Sequence, residues 1–89
     1  MSIEHATGVE VVVAVKVIPP YDLEVTFDDG VVRRLTLDPN TRGPAFESLR
    51  DPARFAEAMV DEEAGTVAWP NGVDIAPEFL YEAGVQVST

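Results

Sequence analysis

Residues 21–30, Tyr-Asp-Leu-Glu-Val-Thr-Phe-Asp-Asp-Gly, alternate large apolar side chains with acidic or polar ones and end in a turn sequence. This period of two is typical of an antiparallel strand that has one buried and one solvated face. Gly30 can adopt the positive φ that closes a short hairpin. Val31–Leu37 is again rich in β-branched and apolar residues, so the sequence predicts a hairpin at the centre of the fold.

The flanking sequence adds a strand before this hairpin and short elements after it. Val9–Ile18 is rich in valine, one of its faces is fully apolar, and Pro19-Pro20 ends it. Asp51-Pro52 is a strong helix start, because Asp caps well and Pro suits the first helical position. The sequence predicts helices over Ala45–Leu49, Pro52–Ala58 and Pro77–Glu82, and strands over Val60–Glu62 and Thr66–Trp69. Gly84 is the expected end of the last helix.

The predicted fold class is α+β. The order β-β-β-α-α-β-β-α has short connections, which favour antiparallel pairing. We expect a two-layer domain with a mainly antiparallel sheet, formed as one sheet, and short helices packed on one of its faces. The domain would cover residues 9–84, with a flexible tail at residues 1–8. Residues 85–89 would form a C-terminal tail, either frayed or a short edge strand.

Composition and charge restrict the function. The net charge is −10, from 16 acids and 6 bases, which disfavours binding to nucleic acid or to anionic membranes. Residues 33–54 carry five Arg and three acids, whereas residues 55–89 carry seven acids and no base. This asymmetry is either internal compensation with a solvated acidic face, or a surface for a basic partner. No targeting segment is visible in the sequence, so the cytoplasm is the expected location.

The best candidate for a recognition surface is residues 69–74, Trp-Pro-Asn-Gly-Val-Asp. A strand stops there at a proline, and Asn-Gly favours a tight turn. Trp69 either fills the edge of the core or is a partly exposed anchor at an interface. Asp74 either caps its own turn or the following helix. The candidate interaction surface comprises Trp69, Pro70, Asn71, Asp74 and Tyr81.

Catalytic equipment is sparse in the sequence. It has no Cys, and therefore no disulfide, thiolate nucleophile or thiolate metal site. The single His, His5, lies in the predicted tail, and Ser48 has no base nearby in sequence. The carboxylates of the predicted turns, Asp28, Asp29, Asp38 and Asp74, are either turn residues or a metal or acid–base site. We predict no catalytic residue, no metal and no cofactor.

Several motifs resemble one family along most of the chain. They are Tyr21-x-Leu23-x-Val25-x-Phe27-x-Asp29-Gly30, Phe46-x-x-Leu49-Arg50-Asp51-Pro52-x-x-Phe55, Trp69-Pro70-Asn71-Gly72-x-Asp74 and Leu80-Tyr81. In this order they are similar to the bacterial domain of unknown function numbered 2442. The resemblance spans about residues 9–82 and implies a two-layer α+β domain without an established activity. It also implies a small protein encoded beside another small protein, with an antitoxin-like or regulatory role. Some relatives carry a DNA-binding domain after this one, a role that is not expected to transfer to this chain.

The sequence therefore predicts a non-enzymatic protein–protein interaction or regulatory module. Its partner would be another small, basic protein, with no direct contact to nucleic acid or membrane. The alternative is a small carboxylate-based ligand- or metal-binding protein or enzyme. A homodimer is a third possibility if the apolar strand Val9–Ile18 lies at a sheet edge.

Overall fold

A computed structural model of the chain describes residues 11–87. The predicted tail at residues 1–8, which includes His5, lies outside the described residues. So do the first two residues of the predicted strand Val9–Ile18 and the last two of the tail at residues 85–89.

The described residues form six strands and two short α-helices. The strands are β1 (Val12–Ile18), β2 (Asp22–Phe27), β3 (Val32–Thr36), β4 (Met59–Asp61), β5 (Thr66–Ala68) and β6 (Val85–Gln86); the helices are α1 (Pro52–Phe55) and α2 (Pro77–Ala83). Two 3₁₀ helices, Pro39–Thr41 and Pro44–Arg50, connect β3 to α1. The structure confirms the predicted α+β class.

The central hairpin forms as the alternation predicts. β2 and β3 pair antiparallel, and Gly30 takes a φ of 88° in the turn between them. The backbone N–H of Gly30 donates to the carbonyl of Phe27 at 2.9 Å. Since an L side chain disfavours this φ, Gly30 sets where the chain reverses.

The helical region is less regular than predicted. The segment expected as a helix over Ala45–Leu49 is a 3₁₀ helix, and the helix expected to reach Ala58 ends at Phe55. Pro39, Pro44 and Pro52 each remove a backbone donor, so the helices before α1 stay short. α1 ends before Ala58 because the chain leaves the helix to enter β4 at Met59. The predicted cap is confirmed, because the Asp51 side chain accepts from the N–H of Ala53 at 3.0 Å.

The strands form two sheets rather than the single sheet expected. Four strands pair antiparallel in the order β1-β2-β3-β6, and β4 pairs with β5 in a separate sheet. All three residues of β5 are buried, so this hairpin packs against the core instead of extending the larger sheet. A hydrogen bond of 2.9 Å from the N–H of Val12 to the carbonyl of Gly65 joins the two sheets. β6 confirms the edge-strand alternative for the C-terminal segment.

The core lies on one face of the four-stranded sheet. Leu23 and Val25 of β2 are completely buried there, as are Phe55 of α1 and Leu80 of α2. The other face carries the polar side chains of β2 and β3, and the register aligns Lys16, Glu24 and Arg34 across it. Helices and the second hairpin thus cover one side, as expected of a two-layer α+β fold.

Charge compensation by close contact is limited. Within residues 11–87, the Arg34 guanidinium and the Asp22 carboxylate form the one ion pair, at 3.4 Å. An exposed pair of this kind contributes about 0.2–1 kcal/mol. Within the same residues, no helix is long and apolar enough to span a membrane.

Candidate functional site

The turn after β5 is built by its own backbone and by one amide side chain. The N–H of Gly72 donates to the carbonyl of Trp69 at 2.9 Å, and Gly72 has a φ of 92°. The Asn71 Oδ1 accepts from the N–H of Val73 at 3.1 Å. The predicted turn chemistry of Asn-Gly is therefore present, and it fixes the direction in which Pro70 and Asn71 project.

Trp69 itself belongs to the core. Its side chain is 1% exposed, and its indole N–H donates to the carbonyl of Phe55 at 2.9 Å. The rings of Phe46 and Phe55 lie 5.9 and 5.5 Å from the indole, measured between ring centroids. Of the two alternatives for Trp69, the core position is confirmed and the partly exposed anchor is wrong. A nearby carbonyl satisfies the indole N–H, and two aromatic rings enclose the indole.

A shallow cleft nevertheless lies beside this turn. It has a volume of about 220 Å³, and its lining joins the turn to the 3₁₀ helix before α1 and to the residues around α1. The lining residues are Ser48, Leu49, Arg54, Glu57, Trp69, Pro70 and Asn71. We call this feature the turn cleft.

One side-chain bond holds the two walls of the turn cleft together. The Asn71 Nδ2 donates to the Ser48 Oγ at 2.8 Å across 23 residues of sequence. Asn71 therefore uses its oxygen to close the turn and its nitrogen to attach the turn to the helical region. The three candidate residues Trp69, Pro70 and Asn71 come together here.

The turn cleft carries one charge of each sign. Arg54 and Glu57 both line it and both are exposed. Neither forms an ion pair with any residue of the part of the chain that the structure describes. Both charged groups are therefore available to a partner without first breaking an internal pair.

Asp74 is exposed but is not among the residues that line the turn cleft. It forms an isolated antiparallel bridge with Ala68, so its backbone continues the pairing of the second hairpin. The residue at the N-terminal cap of α2 is Ala76, which makes no side-chain capping bond. The suggestion that Asp74 caps that helix is thus wrong, because two residues separate it from the first turn.

Tyr81 belongs to a second group of side chains, which we call the tyrosine cluster: Phe27, Asp29, Arg33 and Tyr81. Its ring packs edge-on against Phe27 at 4.8 Å, and its hydroxyl donates to the Asp29 Oδ2 at 2.8 Å. The Arg33 guanidinium lies 4.9 Å from the ring centroid. The hydrogen bond to Asp29, followed by partial burial, raises the pKa of Tyr81 above its ordinary value of 10.0.

Several carboxylates serve as acceptors in turns. Asp29 accepts from the N–H of Val31 at 2.9 Å, and Asp38 accepts from the N–H of Asn40 at 2.9 Å. In these two cases the turn interpretation of the sequence is confirmed. Among residues 11–87, no group of three or more His, Asp or Glu side chains is placed to hold a metal ion.

Sequence reasoning missed Ser48, Arg54 and Glu57 as site residues. They follow one another closely in sequence but meet Asn71 only through tertiary packing. The local sequence around these residues predicts the capped start of a helix, but it does not indicate that a cleft forms there. The Asp51-Pro52 signal placed the start of α1 correctly. The position of the turn at residues 69–72 relative to α1 depends on tertiary packing, which the local sequence does not encode.

A family model, described as a protein of unknown function (DUF2442), matches residues 12–86. The match covers most of the chain, and the chain belongs to this family. No curated protein and no protein of known structure matches the chain.

Proposed function

We propose that this DUF2442 protein is a non-enzymatic interaction module, which binds a small basic protein partner at the turn cleft and regulates it. The observation that carries the proposal is the turn cleft itself. It brings together a predicted turn, a buried aromatic side chain and two exposed charges that form no ion pair within residues 11–87. In the cell we place this activity in the cytoplasm, as an antitoxin-like pairing of two small proteins.

The size of the turn cleft favours a protein partner over a metabolite. Its volume of about 220 Å³ is below the roughly 300–1,000 Å³ that is usual for sites that enclose small ligands. A cleft of this size suits one side chain of a partner that rests on the surrounding surface. Interfaces often gain most of their affinity from a few such anchors in pre-formed pockets.

The rigidity of the turn cleft supports the same function. The Asn71–Ser48 bond and the indole bond to the Phe55 carbonyl fix both walls before any partner arrives. A pre-formed surface loses little conformational entropy on binding. Ser48, Trp69 and Asn71 are thus held in place before a partner binds.

The charge of the chain from residue 55 onward favours a basic partner. From residue 55 onward the chain carries seven acids and no base. An acidic field of this kind accelerates encounter with a basic surface and does little for a neutral one. Within the turn cleft, Glu57 would meet a cation of the partner, and Arg54 would orient a neighbouring acid.

The test compares two charge reversals of equal size. The partner to be used is the product of the adjacent gene, and the variants are Glu57→Lys and Glu63→Lys. Both side chains are exposed, and each substitution changes the net charge by the same amount, but Glu63 lies outside the turn cleft. Calorimetry measures the Kd of each complex.

We expect Glu57→Lys to raise the Kd by about tenfold or more, because it sets like charges against each other at the contact. Glu63→Lys should change mainly the association rate, and the effect should shrink in high salt. Equal losses of affinity in the two variants would show that the turn cleft is not the contact.

The alternative function, binding of a divalent cation by carboxylates, predicts a different result. A cation that binds the native state must raise its melting temperature. We expect no shift with millimolar Mg²⁺, Ca²⁺ or Mn²⁺, because Asp29 and Asp38 already accept backbone N–H groups. A shift of several degrees with one of these ions would favour the alternative.

A further inference from the structure

We propose that β1 is the edge through which a second copy of this chain associates, by antiparallel pairing of β1 with β1. β1 is the first strand in the order β1-β2-β3-β6 and, with seven residues, is longer than any other strand of the described residues. An exposed, apolar edge strand of this length is a ready template for another strand.

The hydrogen-bond pattern shows which backbone groups of β1 face outward. The N–H of Leu37 bonds to the carbonyl of Tyr21, and the N–H of Phe27 bonds to the carbonyl of Val31, so odd-numbered residues of β2 face β3. The even-numbered residues of β2 therefore face β1, opposite Ala14, Lys16 and Ile18. It follows that Val15 and Val17 direct their N–H and C=O groups away from the sheet.

The start of this edge is already occupied. The N–H of Val12 donates to the carbonyl of Gly65, and a bulge between Val12 and Ala14 separates this contact from the regular part of β1. Pro19 follows the strand and has no N–H to donate. The second hairpin also contacts β1. The outward backbone groups of Val15 and Val17 nevertheless have no hydrogen-bond partner among the described residues, so a new strand would be centred on these two residues.

Hydrophobicity and charge both favour a second copy as the occupant. Six of the seven residues of β1 are apolar, and Val15 and Val17 are half-buried at the rim of the core, so a second β1 would continue that core. Each molecule carries a net charge of −10, yet β1 contains no carboxylate. β1 itself therefore adds no carboxylate to the repulsion between two copies of the chain.

The register must also keep the lysines apart. A two-fold axis at Val17 sets Lys16 opposite Ile18 of the second copy. An axis at Lys16 would place the two ammonium groups directly opposite each other, which is destabilising in a sheet. An axis at Val15 would also separate the lysines, but it would pair Val17 with Val13, which lies in the bulge at the start of β1. We therefore place the axis at Val17, where Val15 lies opposite Pro19 of the second copy and donates to its carbonyl without receiving a bond in return.

The test is sedimentation equilibrium at rising protein concentration in low and in high salt. The dimer should form with concentration and tighten as salt screens the repulsion between the two acidic molecules. Val17→Pro removes the outward N–H at a position where an edge strand tolerates proline, and it should raise the dimer Kd by about tenfold or more. Val17→Thr keeps the N–H and the β-branched shape, so it is the matched control and should dimerise nearly as the wild type does.

A second measurement holds even if Val17→Pro folds poorly. Amide hydrogen exchange of the wild type should slow at Val15 and Val17 as the dimer forms, whereas Lys16, which bonds to β2, should be protected at every concentration. A monomer at about millimolar concentration in high salt would overturn the proposal, and so would unchanged exchange at Val15 and Val17. Binding at the turn cleft involves other residues, so either proposal can fail alone.

Discussion

Trp69 and Tyr81 were assigned from the sequence to one contact surface, but they occupy different environments. Trp69 is enclosed between the rings of Phe46 and Phe55, and its N–H is bonded to a backbone carbonyl. Tyr81 is half-buried, and its hydroxyl is bonded to the side chain of Asp29. Both residues carry one polar group on an aromatic ring, the indole N–H or the phenol hydroxyl. The hydrogen-bond partner of that group decides the role of each residue, and the local sequence does not reveal that partner.

The comparison also separates two kinds of stabilisation. The contacts of Trp69 are apolar packing and a bond to the main chain, neither of which titrates. The contact of Tyr81 joins two ionisable groups, so it depends on pH. Trp69 should therefore control the stability of the core, whereas Tyr81 should control how stability changes at high pH.

Trp69→Ala should have the largest effect. Truncation of a buried aromatic residue removes about 3–5 kcal/mol, a large part of the roughly 5–15 kcal/mol that stabilises a typical domain. Urea unfolding followed by far-UV circular dichroism measures the loss. Trp69→Phe, which retains a ring, should lose clearly less. A loss below about 1 kcal/mol in Trp69→Ala would contradict the enclosed position of the indole.

Asn71→Ala should have an intermediate effect. It removes the acceptor for the N–H of Val73 and the donor to Ser48, for a loss of about 1–2 kcal/mol. Ser48→Ala removes one of these two bonds and should lose about half as much. The same unfolding assay applies. If the two variants are equally stable, the turn does not depend on the bond to Val73.

Tyr81→Phe should have the smallest effect at neutral pH, since the ring and its contact with Phe27 remain. The bond to Asp29 favours the protonated phenol and raises its pKa in the folded state. The contribution of this hydrogen bond to the stability of the fold is therefore complete below pH 10.0, and it is lost as the pH rises through the raised pKa of Tyr81.

The measurement for Tyr81 is the unfolding midpoint across this alkaline range, together with the absorbance of tyrosinate. The wild type should lose stability relative to Tyr81→Phe as the pH rises, and the two curves should converge. Parallel curves for the two proteins would mean that the Tyr81–Asp29 bond does not contribute to folding.

Much of the fold could be predicted because it rests on local chemistry. The alternation in residues 21–27, Gly30 in the hairpin turn and the Asp51 cap each act within a few residues. Gly84 also ends α2 as predicted, although its φ is −78° rather than positive. A Cβ there would lie 2.7 Å from the Cβ of Arg33, so close packing against β3 requires the glycine.

The rest depended on distant contacts. The burial of β5 decides that the second hairpin does not join the large sheet. A short apolar strand has the same local sequence pattern whether it extends a large sheet or belongs to a separate hairpin. The candidate site was predicted in part. The turn at residues 69–72 was identified, whereas Ser48, Arg54 and Glu57 reach it through packing. Tyr81 was grouped with the turn because aromatic residues are common at interfaces, which says nothing about position.

The central claim, that a protein partner binds at the turn cleft, is tested most directly by amide chemical shifts during titration with that partner. We predict that the shifts concentrate on Ser48, Arg54, Glu57 and Asn71, and that the amides of Asp29, Arg33 and Tyr81 change little. Shifts confined to the tyrosine cluster, with the turn cleft unaffected at saturation, would contradict the claim.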